Sequence, residues 1–208
     1  MMRMMLLFSF IIAGFVIVRA VLPCRFRWYW KVLLGTVVAS AAFKFHLLRF
    51  FGGQRFFNPD LPGWILLIAA WFHGVVIGYF VFLLLADLIR AGCWLSYKIR
   101  QKTLPDYWQL WNNRINLGIL FFCMFLVSLG MWNCIKVPAV KTVELAFADY
   151  PENVPPLRVV LLADLHIDFI TREPKIRRIV EKVNELQPDL ILIAGDFADG
   201  SVAELKQD

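Results

Sequence analysis

Four long apolar stretches limit what this chain can fold into. A helix needs about 20 mostly apolar residues to cross the hydrocarbon core of a bilayer. The chain is 60% hydrophobic and 18% charged, against about 45–50% and about 25% in soluble domains. We therefore predict a multi-pass α-helical membrane region of four spans within residues 1–136. The predicted spans are Met4–Leu22, Val32–Leu48, Trp64–Ile89 and Ile115–Ile135.

The distribution of charge predicts the orientation of these spans. Residues 1–136 carry 14 Lys/Arg against 3 Asp/Glu, whereas residues 137–208 carry 8 against 13. The segments after the first and third spans hold eight basic residues, and the opposite side holds three. Because basic loops stay in the cytoplasm, we expect an inner-membrane protein whose carboxy-terminal domain is extracytoplasmic. A cleaved signal peptide at Met1–Ala20 is the alternative, and it would place the most basic segment outside.

Polar residues inside the spans have local explanations. Asp87 lies three residues before Arg90, which predicts an ion pair on one helix face. His73 lies in mid-span, and a neutral imidazole bonded to a neighbouring helix explains it better than a proton relay. Gly74 and Gly78 have the GxxxG spacing that allows two helix backbones to approach closely.

The sequence changes character after residue 136. Residues 137–156 contain four prolines and are predicted to be a linker, in which Val143–Phe147 alternates as an edge strand does. Two short apolar runs follow, Leu157–Ala163 and Asp189–Ala194, and both are typical of buried parallel strands. Between them Lys175–Leu186 has apolar residues at helical spacing. Residues 157–208 therefore begin with a predicted βαβ unit.

Three polar side chains lie at the predicted ends of these strands. Asp164 follows the first strand and Asp196 the second, and parallel strands end at one edge of a sheet. His166 should point the same way as Asp164 if the chain there is extended. Carboxylate and imidazole ligands suit Mn, Fe or Zn. From the residues alone, a metal site and a solvated loop explain this pattern equally well.

The motifs themselves resemble a known family. Leu162-Ala-Asp-Leu-His-Ile-Asp168, followed by Ile193-Ala-Gly-Asp-Phe-Ala-Asp-Gly200, is similar to the calcineurin-like metallophosphoesterases, above all the bacterial membrane-anchored type. The resemblance implies a four-layer α/β/β/α sandwich with two divalent metal ions, which activate water for hydrolysis of a phosphoester. By position, Asp164 and His166 would bind the first metal and Asp196 would bridge both. Asp199 would support the ligands without binding metal.

Later motifs of that family, a Gly-Asn-His and a Gly-His-x-His, do not occur in this sequence. Of three histidines, only His166 lies outside the predicted spans. One βαβ unit with two open edges is also too small to bury a sufficient core. We therefore expect an amino-terminal fragment of a longer enzyme that is inactive alone, with residues 201–208 beginning the next helix. The expected fold is a four-span membrane region followed by the first βαβ unit of a metallophosphoesterase sandwich.

Two other functions fit parts of the sequence. His73 and the GxxxG spacing would suit a transporter-like or lipid-interacting membrane protein, and the chain would also suit a non-catalytic remnant. The expected partners are the lipid bilayer and a phosphoester substrate. A membrane-anchored enzyme lies close to lipid-linked and cell-envelope phosphoesters, so these are the expected substrate classes. Nucleic acid is not an expected partner, because the basic residues flank the spans and the soluble part is acidic.

Overall fold

The computed structural model describes residues 2–52, 61–103, 105, 108–148, 150–151, 153–167 and 173–198. The chain divides into two compact units, Met1–Met131 and Trp132–Asp208. Each unit has its own architecture. Among the described residues, the first contains helices and no strand, and the second contains a small parallel sheet.

The helical unit contains segments long and apolar enough to cross a bilayer. Three segments meet this requirement, Arg3–Val21, Gly63–Ile99 and Asn113–Ile135, and they correspond to the first, third and fourth predicted spans. A fourth span exists only if two helices separated by a bend are taken together. The helices are α1 (Met2–Val16, continued by a π-helical turn at Ile17–Val21), α2 (Trp28–Ala42), α3 (Lys44–Phe51), α4 (Gly63–Ile99) and α5 (Trp108–Ile135).

The predicted second span is broken at Phe43. Helices α2 and α3 meet there at an angle of 78°. His73 of α4 lies at this bend, with its Nδ1 atom 2.7 Å from the Ala41 carbonyl oxygen. The His73 ring also makes an edge contact with Phe45, with ring centroids 5.1 Å apart. The predicted hydrogen bond from His73 to a neighbouring helix is confirmed, and its acceptor lies in the last turn of a broken helix.

We expect His73→Leu to lower the stability of the helical unit by about 1 kcal/mol, because a carbonyl at the bend loses its side-chain donor. His73→Gln retains a donor of similar reach and should recover part of this loss. Thermal unfolding of the purified protein in detergent measures both. Equal stability of the two variants would show that this hydrogen bond does not hold the bend.

The GxxxG residues lie where α4 packs on α5. A Cβ atom on Gly74 would lie 3.1 Å from Cγ1 of Val127, and one on Gly78 would lie 3.5 Å from Sγ of Cys123. Next to this contact, Trp71 Nε1 donates to Ser128 Oγ at 2.9 Å. The predicted close approach of two helices is confirmed.

Asp87 pairs with more than its predicted partner. Arg90 Nη1 donates to Asp87 Oδ1 at 2.7 Å, which confirms the local pair. Arg19 of the π-helical turn also binds Asp87 through two hydrogen bonds, from Nε at 2.6 Å and Nη2 at 2.5 Å. Arg90 Nη2 contacts Asn116 Oδ1 of α5 at 2.5 Å. The sequence analysis missed Arg19 and Asn116, because pairing between helices depends on their mutual rotation.

Helix α4 is longer than the apolar stretch that predicts it. It continues to Ile99, whereas the predicted span ends at Ile89. Arg90 and Lys98, which follow the predicted third span, are therefore helical. Hydropathy predicts only the part of a helix that prefers lipid. The helix itself can continue through more polar residues that contain no helix breaker.

The second unit contains two parallel strands and a helix. Strand β1 (Val159–Leu162) pairs with β2 (Leu190–Ile193) from Val159↔Leu190 to Leu162↔Ile193. Helix α6 (Glu173–Glu185) connects them, and its Ile179 and Val183, four residues apart, are both 7% exposed. The predicted parallel pairing of the two strands is confirmed. The side chains of β2 remain about half exposed.

The strand predicted at Val143–Phe147 is wrong, since these residues have no regular secondary structure. Alternation alone does not make a strand, because an extended segment needs a neighbouring strand for its hydrogen bonds. Among the described residues of the second unit, β1 and β2 pair only with each other. Leu145 is accordingly 74% exposed. The helix predicted to begin in residues 201–208 lies outside the described residues.

Candidate metal centre

The backbone pairing of β1 and β2 continues beyond the strands. Ala194 N donates to Leu162 O at 2.9 Å, directly after the last paired residues. His166 N then donates to Asp196 O at 3.2 Å, and Ile167 N to Phe197 O at 3.0 Å. The two loops therefore leave the sheet side by side, which fixes the spacing of the residues that they carry.

The backbone of these loops is left-handed at the candidate ligands. The φ angles are +52° at Asp164, +45° at His166 and +50° at Asp196, and Gly195 has +99°. The sequence analysis expected an extended chain between Asp164 and His166, and that local conformation is wrong. A left-handed conformation costs about 1–2 kcal/mol for a residue with a Cβ atom. Such conformations cluster at functional sites, where the surrounding structure maintains them.

The side chains of Asp164, His166 and Asp196 come together at this edge of the sheet. Each offers one ligand atom, and these atoms all lie within 4.8 Å of one another. His166 Nε2 lies 3.3 Å from Asp196 Oδ2. Ligands of one divalent ion, bound at about 2.0–2.2 Å, lie about 3–4 Å apart. The donor set therefore fits a divalent metal ion after small side-chain movements.

The three side chains are accessible from solvent. Those of His166 and Asp196 are 48% and 57% exposed, and Asp164 is also exposed. An ion can therefore reach the three ligand atoms from solvent. Asp199, expected to support the ligands, lies outside the described residues.

A further acidic residue of this unit, Asp189, has a structural explanation. Asp189 Oδ2 accepts a hydrogen bond from Arg158 N at 2.7 Å, and Arg158 Nη1 donates to Leu186 O at 2.7 Å. Both residues immediately precede their strands, at the end of the sheet away from the candidate ligands. The sequence analysis did not identify this pair, although the strand register would place the two residues side by side. The contact aligns β1 with β2 and thereby helps to set the spacing of the ligands.

Known proteins are similar in sequence to this region of the chain. Residues 157–207 match the family model described as calcineurin-like phosphoesterase. A transmembrane protein with metallophosphoesterase domain from Danio rerio is 33% identical over 153 residues, which cover 73% of this chain and 34% of the relative. The protein of the same description from Bos taurus is 35% identical over 77 residues, which cover 37% of this chain and 17% of that relative.

Bacterial relatives match as well. An uncharacterized metallophosphoesterase of Helicobacter pylori is 36% identical over 95 residues, which cover 46% of this chain and 25% of that protein. The chain thus spans about a third or less of the length of these curated relatives. No solved structure matches this chain.

Proposed function

Because residues 157–207 belong to the calcineurin-like phosphoesterase family, we propose that this chain is part of a membrane-anchored, metal-dependent phosphoesterase. The observation that supports this most directly is the convergence of Asp164, His166 and Asp196 at one edge of the sheet. Apolar helices of membrane-spanning length precede this unit. Relatives with a similar stretch of sequence are described as transmembrane proteins with a metallophosphoesterase domain.

We assign one role to each candidate ligand. Asp164 and His166 would hold the first ion, Asp196 would help to hold both ions, and Asp199, which lies outside the described residues, would support the ligands. Divalent ions such as Mn, Fe or Zn, when bound there, polarise the phosphoester and lower the pKa of a bound water. The paired loops hold the three side chains in place before binding, and the 3.3 Å contact between His166 and Asp196 keeps two of them together. The matched residues cover only 34% of the Danio rerio relative, and we propose that the complete protein supplies the further ligands.

Hydrolysis of a phosphoester by the complete protein tests this proposal. The protein is purified in detergent, stripped of metal, and assayed with nitrophenyl phosphate monoesters and diesters before and after addition of Mn²⁺, Co²⁺, Ni²⁺ or Zn²⁺. We expect activity only with added metal. A complete protein that hydrolyses none of these esters with any of the four ions would contradict the proposal.

The transporter alternative depends on His73, and the contacts of that residue weaken it. The imidazole is within hydrogen-bond distance of the Ala41 carbonyl and lies against Phe45. These contacts give the side chain a structural role at the bend between α2 and α3.

We further propose that the carboxy-terminal unit lies outside the cytoplasm, in an inner membrane. The excess of basic residues after the first and third spans supports this orientation. The substrate is then a phosphoester that reaches the outer face of that membrane, and lipid-linked or cell-envelope phosphoesters are of this kind.

Two native cysteines provide a test of the orientation. Cys93 and Cys134 are both exposed, and they lie in α4 and in the last turn of α5. In spheroplasts, a membrane-impermeant maleimide should label a variant that retains Cys134 alone and not one that retains Cys93 alone. Disruption of the membrane should then expose both thiols. Labelling of Cys93 in intact spheroplasts, without labelling of Cys134, would reverse the proposed orientation.

A further inference from the structure

The ion pairs around Asp87 form a polar cluster that joins three helices. Arg19 comes from the π-helical turn after α1, Asp87 and Arg90 come from α4, and Asn116 comes from α5. We call these four residues the Arg19–Asn116 cluster. π-helical turns occur frequently at functional sites, because they turn a side chain away from the regular helix face. Ionisable residues within apolar helices are energetically costly, and for that reason they also indicate a functional site.

The depth of the cluster follows from the length of α4. Asp87 lies 24 residues after Gly63, and at 1.5 Å per residue this is about 36 Å along the helix. The hydrocarbon core is about 30 Å thick, so Asp87 lies near one interface when the start of α4 lies at the other. Arg19 lies near the end of the first span, and Asn116 lies near the start of the last. All four residues therefore belong at one lipid headgroup layer.

The cluster has more positive than negative charge. It contains two guanidinium groups and one carboxylate, and Asp87 is the only acidic residue among the described residues of Met1–Met131. Arg19 is the accessible arginine of the cluster, since its side chain is 38% exposed and that of Arg90 is 13% exposed. The Nε and Nη2 atoms of Arg19 bind Asp87, and its Nη1 atom makes no hydrogen bond to another described residue. A donor of Arg19 thus remains available at the membrane surface.

We propose that Arg19 binds the phosphate of an anionic phospholipid headgroup. Guanidinium groups match phosphate oxygens in geometry and in charge. Asp87 accepts two hydrogen bonds from Arg19 and thereby orients its guanidinium group, so little further ordering is needed when the lipid binds. A lipid is the expected source of the phosphate because the cluster lies at headgroup depth between apolar helix surfaces. This site differs from the candidate metal centre in residues and in ligand, and it does not depend on phosphoesterase activity.

Lipid retention by the whole chain tests this site. The protein is incorporated into nanodiscs that contain dioleoyl phosphatidylglycerol and dioleoyl phosphatidylcholine in equal amounts, and the lipids that remain bound after extraction are counted by native mass spectrometry. We expect the wild type to retain phosphatidylglycerol preferentially. Arg19→Gln should weaken this preference about tenfold or more, because it removes a hydrogen bond between charged groups as well as a surface charge.

Two further variants separate a lipid site from general surface charge and from misfolding. Arg27→Gln removes an exposed arginine outside the cluster and should change the preference much less. Asp87→Asn removes the competing negative charge and keeps a side-chain oxygen that can accept a hydrogen bond from Arg19, so it should maintain or increase the preference even if the helices become less stable. A loss of the preference in Asp87→Asn would contradict the proposal.

Other results would also overturn the proposal. Equal retention of both lipids by the wild type would exclude an anionic headgroup site. An equal loss in Arg19→Gln and Arg27→Gln would assign the preference to diffuse charge. If millimolar inorganic phosphate displaced the phosphatidylglycerol, the cluster would be a site for soluble anions instead.

Discussion

Replacement of Asp196 by asparagine is expected to abolish hydrolysis by the complete protein, with a loss of roughly a thousandfold or more. In the proposed site this carboxylate would help to hold both metal ions, and an amide carries no charge with which to do so. Metal binding should fail together with activity. Isothermal titration of the complete protein with Mn²⁺ measures the binding directly, and we expect Asp196→Asn to weaken it by more than the 10–100-fold typical of residues that only support a ligand.

A matched acid in the same unit provides the control. Glu181→Gln makes the same chemical change on an exposed position of α6, away from the loops that carry the ligands. It should leave Mn²⁺ affinity and hydrolysis unchanged. Full activity in Asp196→Asn, or equal losses in both variants, would show that Asp196 has no specific role in metal binding.

Gly74→Leu is expected to destabilise the helical unit by about 2 kcal/mol or more, since overpacking of a tight contact typically costs 1–3 kcal/mol. Even a Cβ atom at Gly74 would lie 3.1 Å and 3.3 Å from the two methyl carbons of Val127. A leucine must therefore push α4 and α5 apart, and the hydrogen bond from Trp71 to Ser128 beside this contact would be strained as well. Thermal unfolding in detergent measures the loss.

Helix α4 contains its own control for this substitution. Gly92 lies in the same helix, and a Cβ atom there would have no neighbour within 4 Å. Gly92→Leu should be neutral or slightly stabilising, because leucine is a better helix former than glycine. Val127→Ala combined with Gly74→Leu should recover part of the loss by making room. Equal effects at Gly74 and Gly92 would mean that the α4–α5 contact does not determine stability.

Features that depend on local sequence were predictable. Apolar length identified three segments that can span a membrane, and the spacing of Gly74 and Gly78 identified the face of α4 that packs closely on α5. Short β-branched runs on either side of an amphipathic helix identified the parallel strands. In each case the local sequence alone predicts the environment of the residues: lipid for the long apolar segments, close helix packing for the glycines, and strand pairing for the β-branched runs.

Features that depend on the relative arrangement of elements were not predictable. The second span contains no proline, yet the chain bends at Phe43, where His73 from another helix supplies a hydrogen bond. Arg19 is 68 residues from Asp87, so their pairing follows from the packing of α1 on α4. At the candidate metal centre, the order of residues indicated which side chains to consider. Their left-handed backbone is a property of the two paired loops together.

The bend at Phe43 also makes the hydrophobic thickness of the protein uneven around its circumference. Helix α2 has 15 residues, or about 22 Å of length, which is less than the roughly 30 Å hydrocarbon core. Beyond the bend, Phe50 and Phe51 are 80% and 70% exposed on α3. Lipids next to α2 must compress to match it, whereas those next to α4 need not. Such local mismatch has an elastic cost that falls in thinner bilayers, so the bent helix pair favours residence of the protein where the membrane is thin.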